Sequence, residues 1–370
     1  MPTAWWRTMA LALLLALAPS AFAADPPRVV GYVMDRDPLP AVSAEKLDAV
    51  IYGFALVDSG HTVHFPRPGM SQRLDQLAAL RRRNPGLKVL LGIGGWGADH
   101  FSEAAATENG RLAFARTAVA MVRRHDLDGL DIDWEYPTLP GPGISHAPAD
   151  RDNFPLLLRA VRQALDALSV RTGKRYLLTI AAAGGEAARG LDLPRIVPLV
   201  DAIHLMTFDF HGRDGCRTGH HAGLHRSALA GPADRDTMRA VDEFLAAGVP
   251  PRKLLPGIAF HGKRFTGVAP GNDGLYQPCD GEMTTLSWRE VRDHLLTDGG
   301  FVRHWDEQAQ AAWLWNPRTR VFVTYEDPEA IRAKARHVRE RGLGGVMYRE
   351  HGADASEQLL DIAREALGLP

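Results

Sequence analysis

Along this chain, short runs of β-branched and leucine residues alternate with stretches whose apolar positions recur every three or four residues. The runs predict strands at 28–34, 49–56, 87–94, 127–134, 175–182, 201–207, 253–260 and 344–348. The amphipathic stretches predict helices at 72–83, 109–125, 152–170, 237–247, 328–341 and 355–367. Strands that are apolar at nearly every position must be buried on both faces, which in a strand–helix alternation means a parallel sheet covered by helices. Eight such units close a (β/α)8 TIM barrel, whose functional groups gather where strands end and loops begin. The rhythm breaks once, between 261 and 324, where a Gly-, Trp- and turn-rich stretch is far longer than the usual strand-to-helix loop. It reads as a small α+β domain inserted after the seventh strand, leaving 24–260 and 325–370 for the barrel.

The start of the chain is different in kind. Arg7, an apolar run from Met9 to Ala18, and Ala21-Phe22-Ala23 form the three-part pattern of a secretory signal spanning 1–23. A run of that length covers about half of the ~20 residues a bilayer needs, so it is not read as an anchor. The expected location is therefore extracellular or periplasmic. Composition changes the picture mainly by exclusion. With 43 basic and 44 acidic residues, the chain lacks the surplus of positive charge that nucleic-acid or anionic-membrane binding requires. Two cysteines, Cys216 and Cys279, are too few for a disulfide scaffold or a four-ligand zinc site. They form one bridge or remain as two free thiols. No cofactor or metal is expected, and the chain is expected to be monomeric.

The richest chemistry lies in Asp128-Gly-Leu-Asp131-Ile-Asp133-Trp-Glu135-Tyr136. Residues two apart on a strand share a face, so Asp131, Asp133 and Glu135 form a ladder that ends at the strand's C-terminal mouth. Leu130 and Ile132 point the other way. Carboxyl groups this close cannot all ionise at neutral pH, so at least one proton is shared and the set titrates as a unit. Glu135, the outermost, is expected to hold a raised pKa and serve as a general acid.

That segment resembles the DGxDxDWE signature of family 18 glycoside hydrolases, the chitinase family. Lys88–Trp96 resembles the family's third-strand SxGG-W segment, with Gly95 and Trp96 at its end. His204-Leu-Met206-Thr-Phe208-Asp209 resembles its sixth-strand Met-x-Tyr-Asp. Gly344–Tyr348 is similar to its last strand, and 261–324 resembles the chitin-insertion domain of subfamily A. The resemblance implies substrate-assisted retaining hydrolysis of β-linked N-acetylglucosamine polymers, an exception to the two-carboxylate scheme. By position it makes Glu135 the acid, has Asp133 orient the acetamido group, and lets Asp131 share the proton. Asp128 is structural. Tyr32, Phe54, Gly95, Trp96, Tyr136, Met206, Phe208, Asp209 and Arg349 would line the sugar site.

Three segments depart from the pattern. Phe208 replaces a tyrosine whose hydroxyl bonds the acetamido group, and the loss of one such donor costs on the order of 10²–10³ in rate. Arg349 stands where the family carries the tryptophan floor of the −1 site. Phe260-His261-Gly262-Lys263 replaces Phe-Tyr-Gly-Arg. Three readings stay open: a weak chitinase, a hydrolase retuned to an acidic or modified amino sugar, and a glycan-binding lectin with little turnover. Gly92–Gly97 also fits GxGxxG, but no strand with a ribose-binding acid follows about 20 residues on, so a dinucleotide site is excluded. The crowded histidines from His204 to His225 read as loop residues on the groove.

Overall fold

The structure, a computed structural model, describes residues 26–212 and 216–370; the expected signal at 1–23 lies outside them. Fourteen strands occur among the described residues, eight of which form the barrel: β1 (Arg28–Met34), β2 (Ala49–Val57), β4 (Lys88–Gly94), β5 (Gly129–Asp133), β6 (Leu177–Ala182), β7 (Ala202–Leu205), β8 (Leu254–Ala259) and β14 (Gly345–Arg349). They pair in parallel in the order β1-β14-β8-β7-β6-β5-β4-β2, and β2 returns to β1, so the sheet closes. The two-residue β3 (Val63–His64) adds antiparallel to β2, a pairing the sequence pattern did not predict.

Double burial explains the apolar strands. Val29, Val33, Leu91, Leu130, Ile132 and Ile180 pack outward under the helices. Val30, Ile51, Leu90, Leu255 and Met347 fill the barrel interior with Tyr32, Phe54, Met206 and Phe208. Several strands are shorter than expected. β7 stops at Leu205, and Met206–Asp209 continue as an irregular segment that carries side chains to the mouth.

Where the long interruption was expected, β9 (His261–Phe265), β10 (Met283–Ser287), β11 (Val302–Asp306), β12 (Ala311–Asn316) and β13 (Val321–Tyr325) form an antiparallel sheet in the order β10-β9-β13-β12-β11. Phe265, Leu275, Trp313, Trp315 and Phe322 make its own small core. A Cys216–Cys279 disulfide, with Cα atoms 5.0 Å apart, ties this sheet to the loop after β7. The chain then enters the helix Pro328–Glu340, capped by Asp327, whose carboxylate accepts from the Glu329 and Ala330 N–H groups. No helix of the described residues is long and apolar enough to cross a membrane.

Candidate active site

β5 delivers the carboxylate ladder. Asp131 and Asp133 are wholly buried on its inward face, and Glu135, just beyond the strand, is 3% exposed. Asp128 sits at the opposite end. Its Oδ2 accepts from the Val89 N–H at 2.8 Å and from Arg81 at 3.2 Å, and Lys174 lies 3.0 Å from its Oδ1. It therefore clamps the strand's start and stays away from the mouth.

Three donors from three other strands converge on Asp131. Tyr32 Oη donates to Oδ2 at 2.8 Å, Thr179 Oγ1 donates to Oδ1 at 2.5 Å, and His204 Nδ1 lies 3.1 Å from the same oxygen. Burial and the neighbouring Asp131 push the Tyr32 hydroxyl well above its usual range, so it stays a proton donor. Asp133 has a poorer setting. Its Oδ1 is buried with no hydrogen bond, and its Oδ2 meets only Arg349, at 3.4 Å. The Asp133 carboxyl has a raised pKa. Burial pushes it well above the carboxylate range, Glu135 and Asp131 add to the rise, and Arg349 opposes it. The physical reason is depth: a carboxyl sealed from water between two others ionises at a high cost.

Arg349 ends β14 and lies across the barrel from the ladder. Its guanidinium carbon is 5.3 Å from the centre of the Phe54 ring and 5.9 Å from that of Tyr32. Gly95 closes the same corner at φ +91°, where a Cβ would come within 2.8 Å of the Phe54 ring, so only glycine fits. Its N–H donates to the Asp133 carbonyl at 2.8 Å. Trp96, half exposed, follows in that loop, with its ring 6.5 Å from the Tyr136 ring.

The ladder opens into a cavity of about 390 Å³ bounded by Trp96, Glu135, Met206, Phe208, Asp209 and Arg349. A second cavity of about 520 Å³ continues from it past Tyr136, sharing Met206, Phe208, Asp209 and His211. Together they form a groove rather than a closed pocket.

A model of the glycosyl hydrolases family 18 matches residues 28–354. The chain belongs to that family. Chitinase A1 of Niallia circulans is 34% identical over 329 residues, 84% of this chain and 47% of that protein. Chitinase B of Serratia marcescens is 30% identical over 76% of this chain and 67% of its own length. The chain thus spans about half to two thirds of these relatives. Among solved structures, a family 18 N-acetylglucosaminidase from Paenibacillus barengoltzii superposes with a TM-score of 0.86 at 37% identity, covering 92% of this chain and 99% of that one. An Ostrinia furnacalis group IV chitinase in complex with allosamidin superposes at 0.84 with 26% identity, over 92% and 99%.

In this family 18 chain the expected site residues converge on one mouth, apart from Asp128 and the cysteines. Sequence reasoning missed Thr179, which carries no motif of its own, and Met283, which reaches the cavity from the inserted sheet. Of the crowded histidines, His211 borders both cavities, but others lie elsewhere. His204 is on β7 beneath Asp131, and His220 and His221 are buried instead of lining the groove. Trp288 and Trp313, aromatic residues of the inserted stretch, are core. Trp288 stacks on Tyr325 and Trp313 on His304.

Asp209, in the left-handed region at φ +57°, gathers His261 Nε2 at 3.0 Å, Lys263 Nζ at 3.1 Å and His221 Nδ1 at 3.5 Å around Oδ1. Asp209, His221 and His261 have metal-like spacing, as do the more exposed Asp99, His100 and Glu103. The Lys263 ammonium already occupies the cation position beside Asp209 Oδ1, so the first set reads as a hydrogen-bonded cluster.

Burial drives the His221 pKa down to about 3 and the His211 pKa down to about 4. Both therefore fold as neutral rings, while the unfolded chain takes up their protons below about 6.5. Stability should be complete above that value and should decline as pH falls toward 4, by up to about 1.4 kcal/mol per pH unit for each histidine. Urea midpoints at pH 7, 5.5 and 4.5 check this. His221→Asn should flatten the slope, and an unchanged slope would remove His221 as a cause.

Proposed function

We propose that the chain is an exported glycoside hydrolase that cleaves β-linked N-acetylhexosamine glycans by substrate assistance, with retention. The observation that carries this reading is the Asp131, Asp133 and Glu135 ladder, buried at the floor of an open groove, where burial pushes the Asp133 pKa up. A carboxyl that keeps its proton can hold a neutral acetamido group without repelling its carbonyl oxygen.

In this reading the acetamido oxygen of the −1 sugar attacks the anomeric carbon while the glycosidic C–O bond breaks. Glu135 gives its proton to the departing oxygen, and an oxazolinium ion forms. Glu135 then takes a proton from water, which attacks the same carbon and restores the acetamide. Asp133 orients the acetamido N–H, and Asp131, anchored by Tyr32, Thr179 and His204, sets where the shared proton resides. Met206 and Asp209 border the −1 sugar. Trp96 and Tyr136 offer ring faces along the groove. Residues 261–324 act as an inserted wall, from which Met283 reaches the cavity. The Cys216–Cys279 bridge favours an oxidising compartment and so the exported reading.

The test is hydrolysis of N-acetylglucosamine oligomers of two to six units, with product masses and the configuration of the fresh anomeric centre followed by NMR. Cleavage with retained configuration supports the reading; inversion defeats substrate assistance. If the oligomers bind at micromolar concentration and are not cut, the lectin reading takes its place. Trp96→Ala should raise KM by about 5- to 10-fold with little change in kcat, because a stacked ring contributes about 1 kcal/mol.

A further inference from the structure

Arg349 is a cation with unmet demands at the base of the groove. Its side chain is 21% exposed, and its one hydrogen bond is the 3.4 Å contact from Nη1 to Asp133 Oδ2. A guanidinium has five N–H donors arranged in a rigid fork. The remaining donors meet no acceptor among the described residues, and the group lines the 390 Å³ cavity. Phe54 and Tyr32 hold it in place by ring contacts, so the fork is positioned rather than free to sweep.

Nor does Asp133 cancel the charge. The contact is long, and burial pushes the pKa of that carboxyl up while Arg349 opposes the rise. The second cation at the cavity, Lys263, differs in this respect. Its Nζ is bound to Asp209 at 3.1 Å and to Thr285 Oγ1 at 3.1 Å.

A fixed positive charge is a poor neighbour for a neutral amino sugar at this position. Positive charge develops on the anomeric carbon and the oxazolinium as the bond breaks, and a guanidinium beneath it opposes that change. A carboxylate carried by the same sugar reverses the balance. It satisfies the open edge of the fork with two parallel N–H···O bonds, the geometry for which arginine is better suited than lysine. It also neutralises the cation before the transition state forms.

We infer that Arg349 makes the −1 site selective for an N-acetylhexosamine bearing a carboxylate, so that the natural glycan is an acidic amino-sugar polymer rather than plain chitin. This deepens the hydrolase reading of the same site and rests on it.

The experiment compares three tetrameric probes of equal length. One is unmodified N-acetylglucosamine, one carries a 3-O-lactyl ether on alternate sugars, and one carries carboxyl groups at C6. The native chain is expected to cleave at least one carboxylated probe with kcat/KM at least 10-fold above the neutral one. Arg349→Met should lower the ratio of carboxylated to neutral kcat/KM by at least 30-fold. Arg349→Lys, which keeps the charge and loses the fork, should lower it by roughly 10-fold. Using the ratio removes any general loss of activity, and circular dichroism checks that each variant folds.

A native chain that prefers the neutral probe over both carboxylated ones overturns the inference and leaves the hydrolase reading intact. A ratio unchanged in both variants overturns it as well. If no probe is cut, the hydrolase reading fails, and calorimetric binding decides the inference separately. Tighter binding of a carboxylated probe by the native chain, lost in Arg349→Met, sustains it, and equal binding of all three defeats it.

Discussion

Glu135→Gln is expected to lower kcat on whichever N-acetylhexosamine oligomer the native chain cleaves by roughly 10³-fold, with the binding constant changed by less than about 3-fold. Glutamine keeps the shape and most of the hydrogen-bonding capacity of glutamate but has no proton to give. The leaving sugar must then depart as an alkoxide, and the proton-transfer contribution to catalysis, typically 10²–10⁴, is lost. The setting makes the exchange clean. Glu135 is 3% exposed, lines the cavity and follows directly from β5, so an isosteric amide fits without repacking. Single-turnover rates and calorimetric affinities measured side by side check the result. Equal rates in the two proteins would remove Glu135 as the acid. Equal loss of rate and binding would point to a damaged groove instead.

The largest stability effect is expected far from the ladder, at Lys334. This lysine is 1% exposed on the helix Pro328–Glu340, and its ammonium lies 2.7 Å from Oε1 of Glu326, itself 2% exposed. The pair bolts the helix to the barrel. Lys334 also donates to the Gly257 carbonyl at 3.0 Å, and Glu326 Oε2 accepts from the Ala259 N–H at 2.6 Å, both on β8. Burial pushes the lysine pKa down and the glutamate pKa up, and each charge offsets part of the other's shift. Lys334→Ala removes one partner and leaves a carboxyl without water or a cation. The expected cost is about 3–5 kcal/mol, because the unpaired buried group bears its full desolvation penalty. Lys334→Met with Glu326→Gln should recover most of that, since a neutral pair of similar volume needs no charge compensation. Urea denaturation of the two variants against the native chain checks both statements. A loss below about 1 kcal/mol in Lys334→Ala would mean that water reaches the pair. Gly257 and Ala259 border the wall that carries Phe208, where a Cβ on Gly257 would come within 2.6 Å of the ring. A loosened helix should therefore also blunt activity.

What could be read from the chain without coordinates was whatever local periodicity encodes. The two-residue period placed Asp131, Asp133 and Glu135 on one face because the backbone of an extended strand admits no other arrangement. Near-continuous apolar strands alternating with helical stretches indicated a doubly covered parallel sheet, and the closed barrel bears that out. The families of residues at the strand ends could be matched by position because a barrel puts them at one mouth whatever the loops do.

The tertiary structure decided everything that depends on residues distant in sequence. Asp131 is held by Tyr32, Thr179 and His204, which lie 99, 48 and 73 positions away and meet only because the sheet closes. Arg349 reaches Asp133 across 216 positions, and the sequence could mark it as unusual without showing its open donors or its aromatic supports. The raised pKa of Asp133 has the same origin: ionisation is governed by depth and by neighbouring charge, and neither is a property of the strand alone. Sequence determined which groups stand at the mouth of this barrel; the packing of eight separate strands determined how much water, charge and hydrogen bonding each of them meets.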